Sequence, residues 1–253
     1  MKKSDAKKVI RNIDEFDESI SLYQLIPAGK GKGIMLLKKI VDQVHQDKYS
    51  RAVSNKLLSL IIYGKEGKST VARGFLRALG IQEIRQIQAC FVEGESYLLA
   101  LFNTSNPDAA YIIHNVEQLK DGLQCYLWQV LVEKKFSLFN FLTQREETRR
   151  VNGILILTGG QLKKVSSQII DAVDYIVEIE PYTQQQLELI VLQRLKFSGL
   201  DYESEQVFQE IIEYGNGELQ HIIRFLRSCY VVVRADGRDK LMLSDIQRAV
   251  RLR

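Results

Sequence analysis

Residues 57–70 read LLSLIIYGKEGKST, and the fold turns on how that stretch is parsed. Leu57 to Tyr63 make a nearly unbroken apolar run of strand length. Two glycines follow, Gly64 and Gly67, and the second is joined directly to Lys68, Ser69 and Thr70. Val71, Phe75 and Leu79 then recur one helical turn apart, so a strand, a glycine turn and a helix succeed one another. Such a junction suits a phosphate group. Backbone N–H groups at the start of a helix point at the anion, the helix dipole adds attraction, and a lysine reaches the terminal phosphates. The usual spacing is G-x-x-x-x-G-K-[ST], whereas Gly64 here precedes Gly67 by only three residues. Either two residues are deleted, or Ile62 occupies the place of the first glycine, where a β-branched side chain resists positive φ. Two readings are open at this point. One is a phosphate site, with Lys68 on the β- and γ-phosphates and Ser69 or Thr70 available to magnesium. The other is a plain strand-to-helix turn with Ser69 near a cap position.

Working outward, AAYIIHN (109–115), GILILT (153–158) and YIVEIE (175–180) read as three further strands. Between them lie helical patterns such as Leu123, Leu127, Val130 and Leu131 on one face, while Ile34, Leu37, Ile40, Val41 and Val44 mark a helix before the first strand. Apolar strands alternating with helices predict a mostly parallel sheet covered on both faces. After Pro181 the pattern is helical throughout, with one helix stopped at GNG (215–217). The closing LMLSDIQRAVRLR predicts a strand-like turn and a helix with Ser244 as its N-cap. The chain therefore divides into an arm (1–33), an α/β body (34–180) and a small all-helical lid (181–253).

Within the body, KKFSLFNFLTQREETRRVN (134–152) predicts a protruding hairpin. Lys134, Lys135, Arg145, Arg149 and Arg150 are its candidates for contact with nucleic acid or a partner protein; a solvated edge is the plain alternative. Phe136, Phe139 and Phe141 suit a buried or partner-facing surface.

The bulk numbers limit the class. With 253 residues, 45% of them apolar and 26% charged, the chain has the composition of an ordinary globular protein. Its apolar runs are too short to span a bilayer, and the N-terminal residues lack the stretch a signal peptide needs, so a cytoplasmic location without membrane is expected. Cys90, Cys125 and Cys229 have no ligand spacing and are expected as reduced core thiols. From Gln220 onward eight Lys/Arg stand against three Asp, a surplus of five, compared with +4 for the whole chain. A basic end can track phosphates, and so can the cluster of Lys2, Lys3, Lys7 and Lys8, but a solvated helix face is the commoner cause.

The order of elements resembles an AAA+ module, a P-loop NTPase with a three-layer α/β body, a parallel sheet and a helical lid. YGKEGKSTVARGFLRALG resembles the Walker A strand, loop and helix, and AAYIIHNVEQL the Walker B strand. LWQVLVEKKFSLFNFLTQREETRRVNGILILTGG is similar to the helix, hairpin insertion and sensor-1 strand of RuvB-like motors that drive branch migration at Holliday junctions. The crossing into the lid and its sensor-2 helix resemble VDYIVEIEPYTQQQLELIVLQRLKFSGL and YGNGELQHIIRFL. The resemblance implies bound ATP or ADP with Mg2+, an oligomer of AAA+ subunits, and DNA as a partner. The nucleotide would meet Gly64, Gly67, Lys68, Ser69, Thr70, Thr158, Gln220 and Arg224, with Ser69 on the metal.

Several family devices are altered. The Walker B Asp-Glu pair, which holds magnesium and activates water, falls on His114 and Asn115. Asparagine cannot take a proton from water, and magnesium prefers hard oxygen ligands to imidazole. A satisfied, non-ligand His114 is the expected arrangement. Asp171, Ala172 and Val173 stand where the arginine finger belongs, and Gln220 replaces the sensor-2 arginine, with Arg224 one turn later. Loss of one arginine finger alone costs about 10³–10⁵ in rate. Impaired hydrolysis is therefore expected. A scaffold that binds no nucleotide and reuses the fold for protein contacts is the alternative.

Overall fold

A computed structural model describes residues 22–24, 31–49, 57–104, 106, 108–140 and 145–251. The chain forms two compact units, one over Gly31–Glu180 and one over Pro181–Arg253 with Leu22–Gln24.

The first unit is built on a five-stranded sheet. Its strands are β1 (Leu57–Gly64), β2 (Ile84–Gln88), β3 (Ala110–His114), β6 (Gly153–Gly159) and β7 (Tyr175–Ile179), in the spatial order β2-β3-β6-β1-β7. Every pairing is parallel. Flanking it are helices α1 (Lys32–Tyr49), α2 (Lys68–Ala78), α3 (Glu95–Phe102), α4 (Asp121–Glu133) and α5 (Ser167–Ala172). The three central strands are almost wholly buried, as crossover helices on a parallel sheet require. Strand β2, IRQIQ, was not among the four strands expected. It lies on the sheet's edge, half-exposed, so its apolar content is low and no buried run marks it. Helix α1 begins at Lys32, inside the expected arm.

A one-sided requirement fixes the chain at the end of β1. Gly64 has φ +149°, and a Cβ there would lie 2.4 Å from the Ile179 carbonyl oxygen on β7. At the opposite end of the same strand pair, Ser59 N–H and Oγ–H both donate to Asp174 Oδ2, at 2.7 and 2.6 Å.

The predicted hairpin is present as antiparallel β4 (Lys135–Asn140) and β5 (Arg145–Arg150). Its base is fastened to the body: Phe136 is buried against Phe102, and Arg149 donates to Asn103 Oδ1 at 2.7 Å. Phe141 and the hairpin tip lie outside the described residues, as do Lys2, Lys3, Lys7 and Lys8. The cysteine expectation is corrected, since Cys90 and Cys125 are exposed and only Cys229 is a core thiol.

The second unit contains α6 (Gln184–Phe197), α7 (Gln206–Tyr214), α8 (Leu219–Ala235) and α9 (Leu243–Arg251), with a two-residue parallel pair β8 (Asp201–Tyr202) and β9 (Lys240–Leu241). A capping box formed by Thr183 and Gln186 starts α6. Helix α8 is amphipathic and supplies nine of the unit's buried residues. Ser244 is not the N-cap of the last helix. That helix starts one residue earlier, and Asp245 reaches back from its first turn to accept the Met242 N–H at 3.0 Å. The basic surplus is partly structural. Arg234 donates to the carbonyls of Ser198 and Gly199 at the end of α6, and Arg238 and Arg248 pair with Asp236 and Asp245. No helix among the described residues is long and apolar enough to cross a membrane.

Candidate functional site

The loop between β1 and α2 has two anchors. Ile62 lies inside β1, fully buried and paired with Thr158 and Val177, so it is no part of the loop. The strand runs on to Gly64, which pairs with Ile179, and α2 begins at Lys68 behind Gly67 as N-cap with φ 78°. Only Lys65, Glu66 and Gly67 separate strand from helix. The spacing therefore reflects a loop genuinely shortened by two residues. Positive φ at Gly64 and Gly67 explains both glycines by backbone conformation.

The short loop changes what its lysine does. Lys68 Nζ donates to the carbonyl oxygen of Gly64 at 2.7 Å and to that of Lys65 at 3.2 Å. Burial pulls the ammonium below lysine's usual range, opposed by the charges of Glu117 and then Glu66. Ser69 and Thr70 follow in the first turn of α2, both half-buried.

At the end of β3, His114 is 4% exposed and is held from both sides of its ring. Nδ1 lies 3.3 Å from Ser69 Oγ and 3.3 Å from Thr158 Oγ1, and Nε2 lies 3.3 Å from Gln86 Oε1. With Nε2–H donating to Gln86, the single Nδ1 lone pair is shared between the Ser69 and Thr158 hydroxyls. Thr158 Oγ1 in turn accepts the Asn115 N–H at 3.4 Å. This is a neutral imidazole, and its pKa is pushed down to about 4 by burial and, second, by the charge of Arg73.

These residues do not fit magnesium. The strand end offers a neutral nitrogen where a hard cation needs carboxylate oxygen, and the Ser69 hydroxyl is engaged with that nitrogen. Among the described residues no group of three or more His, Cys, Asp or Glu is placed to hold a metal. An anion fits better, because the helix start, Gly67 and Lys68 are all in place. Asn115, in the left-handed region at φ 55°, turns its amide to Gln88 Oε1 at 3.3 Å.

A carboxylate is nevertheless present two residues beyond Asn115, too late in the sequence to stand for either member of the Asp-Glu pair. Glu117, in a short 3₁₀ turn (Val116–Gln118), accepts the Gly160 N–H on Oε1 at 2.8 Å. The glycine pair 159–160 directly after a strand was the available signal. Gln86, the partner of His114, sits on the strand that sequence patterning missed. Gln220 and Arg224 lie exposed on α8, in the other unit. Lys135, Arg149 and Arg150 are exposed on the hairpin and Lys134 is half-buried at its foot, while Arg145 is described only as a β5 residue.

The parallel sheet, the strand–loop–helix at Gly64–Lys68 and the helical second unit have the layout of the P-loop AAA+ fold. Among solved structures the chain matches Thermotoga maritima RuvB. A proline-to-glycine variant superimposes with a TM-score of 0.69 at 14% identity, covering 92% of this chain and 72% of that one. An arginine-to-alanine variant gives 0.67 at 16% identity over 92% and 71%. The RuvB Holliday junction branch migration motor gives 0.66 at 14% over 88% and 69%. The fold is thus RuvB-like AAA+. No protein-family model and no curated protein matches the chain.

Proposed function

We propose that this chain is a RuvB-like AAA+ subunit that binds ATP or ADP weakly through the shortened loop, hydrolyses it little or not at all, and works in an oligomeric complex that processes or remodels DNA. One observation carries the reading. The groups that grip an anion remain at the start of α2, while the position that would recruit magnesium holds His114, neutral and hydrogen-bonded to Ser69 and Thr158. Phosphoryl transfer needs its developing charge met by a metal and cations, and its water oriented by a polar group at the strand end. Asn115 is turned to Gln88 instead.

The DNA component draws support from the hairpin. Lys135 and Arg150 are directly opposite across the two strands, and both are exposed. Like charges facing each other destabilise a strand pair, and an anionic partner removes that cost. The matched RuvB structure is a Holliday junction motor, so branched DNA is the first ligand to try.

Calorimetric titration with ATP and ADP, with magnesium and then with EDTA, tests the nucleotide component. Saturable binding that EDTA leaves intact and Lys68→Ala abolishes is the expected result, with phosphate release near background. Robust release that disappears in Lys68→Ala would overturn the reading. For the DNA component, anisotropy with a four-way junction should show salt-dependent association, and Lys135→Ala/Arg150→Ala should lower the salt slope by about two.

A specific contact favours a second reading. Because Lys68 already donates to two carbonyls of its own loop, the chain also suits a scaffold that takes no nucleotide. The scaffold predicts no heat of binding with either nucleotide, and unchanged oligomer mass in sedimentation whether or not nucleotide is present.

A further inference from the structure

We propose that Glu117 makes this a nucleoside-diphosphate site, disfavouring the triphosphate by the charge of a carboxylate seated beside the loop. The inference rests on nucleotide binding at Lys68. Three observations support it.

The first is the seat itself. Glu117 lies against Gly159 and Gly160 so closely that a Cβ on Gly159 would come 3.0 Å from Oε2, and one on Gly160 would come 3.3 Å from Oε1. Two successive glycines at the end of β6 therefore make room for this carboxylate. The second is its incomplete satisfaction. Oε1 accepts the Gly160 N–H, whereas Oε2 is buried and has no hydrogen-bond partner among the described residues. An acceptor that has lost water without gaining a donor is destabilising, and a nearby charge lessens the cost. Gly159 pairs with Tyr63 at the end of β1, which sets Glu117 beside the loop, and Lys68 is a cation on which its charge acts.

The third is what the arrangement withholds from an anion. The Gly160 N–H is consumed by Glu117, the Lys68 charge is shared with it, and neutral His114 recruits no cation to compensate. A ligand's last phosphate must then approach a carboxylate with no metal between them. A diphosphate brings one negative charge fewer than a triphosphate. At the separations and effective dielectric of a half-buried site, one such repulsion is worth about tenfold in affinity.

The test is calorimetric titration of the full chain in EDTA. The unaltered protein should bind ADP about tenfold tighter than ATP. Glu117→Gln keeps an oxygen for the Gly160 N–H but removes the charge, and should bring the two affinities within about threefold by tightening ATP. A second measurement needs no variant: pyrophosphate should displace ADP from the unaltered chain better than tripolyphosphate does. Equal or tighter ATP binding in the unaltered protein, or a preference unchanged in Glu117→Gln, overturns the inference while leaving the nucleotide site standing. Phosphate release that Glu117→Gln abolishes also overturns it, by assigning the carboxylate to water activation. If neither nucleotide nor polyphosphate binds either protein, the underlying nucleotide reading fails as well.

Discussion

Polar groups are treated in opposite ways in the Asp245 cluster of the helical unit and at the strand ends of the body. In the helical unit, Asp245 is fully buried and its carboxylate is satisfied completely. It accepts from Arg238 at 2.5 and 3.0 Å and from the Met242 N–H at 3.0 Å. Asp236 completes the cluster by joining Arg238 to Arg248. At the strand ends of the body, the contacts of His114 are all 3.3 Å long, Lys68 is bonded to its own loop, and one oxygen of Glu117 has no partner. Short, saturated contacts hold a fold together. Long or incomplete ones in a buried setting leave a site that a ligand can still change.

The largest expected effect tests whether the loop is as rigid as the helical cluster despite its looser side chains. Gly64→Ala adds a Cβ 2.4 Å from the Ile179 carbonyl and imposes positive φ on alanine. Urea denaturation should show a loss of about 4 kcal/mol or more, because the clash is with backbone on the neighbouring strand and cannot rotate away. A loss below about 1 kcal/mol would mean that β1 and β7 separate easily, and the rigid frame of the site would be lost.

Next in size is the saturated cluster. Asp245→Ala removes a buried acceptor and leaves Arg238 and the Met242 N–H short of a partner. Stability measured by urea denaturation should fall by about 3 kcal/mol. A neutral outcome would show that the cluster is ornamental and would dissolve the contrast between the units.

Acid sharpens the contrast from the other side. The pKa of His114 falls from 6.5 to about 4 on folding, so the unfolded chain takes up this proton first as pH drops. Stability from this group is therefore fully present above about pH 6.5 and is lost progressively towards pH 4, by about 3 kcal/mol. A His114→Gln variant should flatten that part of the stability profile. An unchanged profile would mean that His114 is not the group responsible.

The smallest effect belongs at the cluster's rim. Arg248 is half-exposed, and its bond to Asp236 is solvent-screened. Arg248→Ala should lower the melting temperature only slightly, and added salt should erase the difference.

How far the residues alone foretold this molecule differs by element. The central strands were legible because burial on both faces leaves an unbroken apolar run. The hairpin was legible because its alternation and its polar turn are local. β2 was not, since an edge strand need be apolar on little of its surface. Ser244 was misassigned because a nearby serine is a common cap, whereas Asp245 does the work through a reach-back bond that spacing does not reveal. At the site, the neutral pair His114 and Asn115 at the end of β3 could be read directly. The roles of Gln86 and Glu117 could not.

The sequence by itself determined the order of the four apolar strands, the short glycine loop and the neutral residues at the end of β3, because these follow from local periodicity and residue type. Only the tertiary structure decided that Gly64 is held by Ile179, that Lys68 turns onto its own loop, and that Glu117 settles on Gly159 and Gly160. The physical reason is distance along the chain. Glu117 meets a backbone donor 43 residues away and His114 meets Thr158 44 residues away, so only the stacking of parallel strands brings those atoms together.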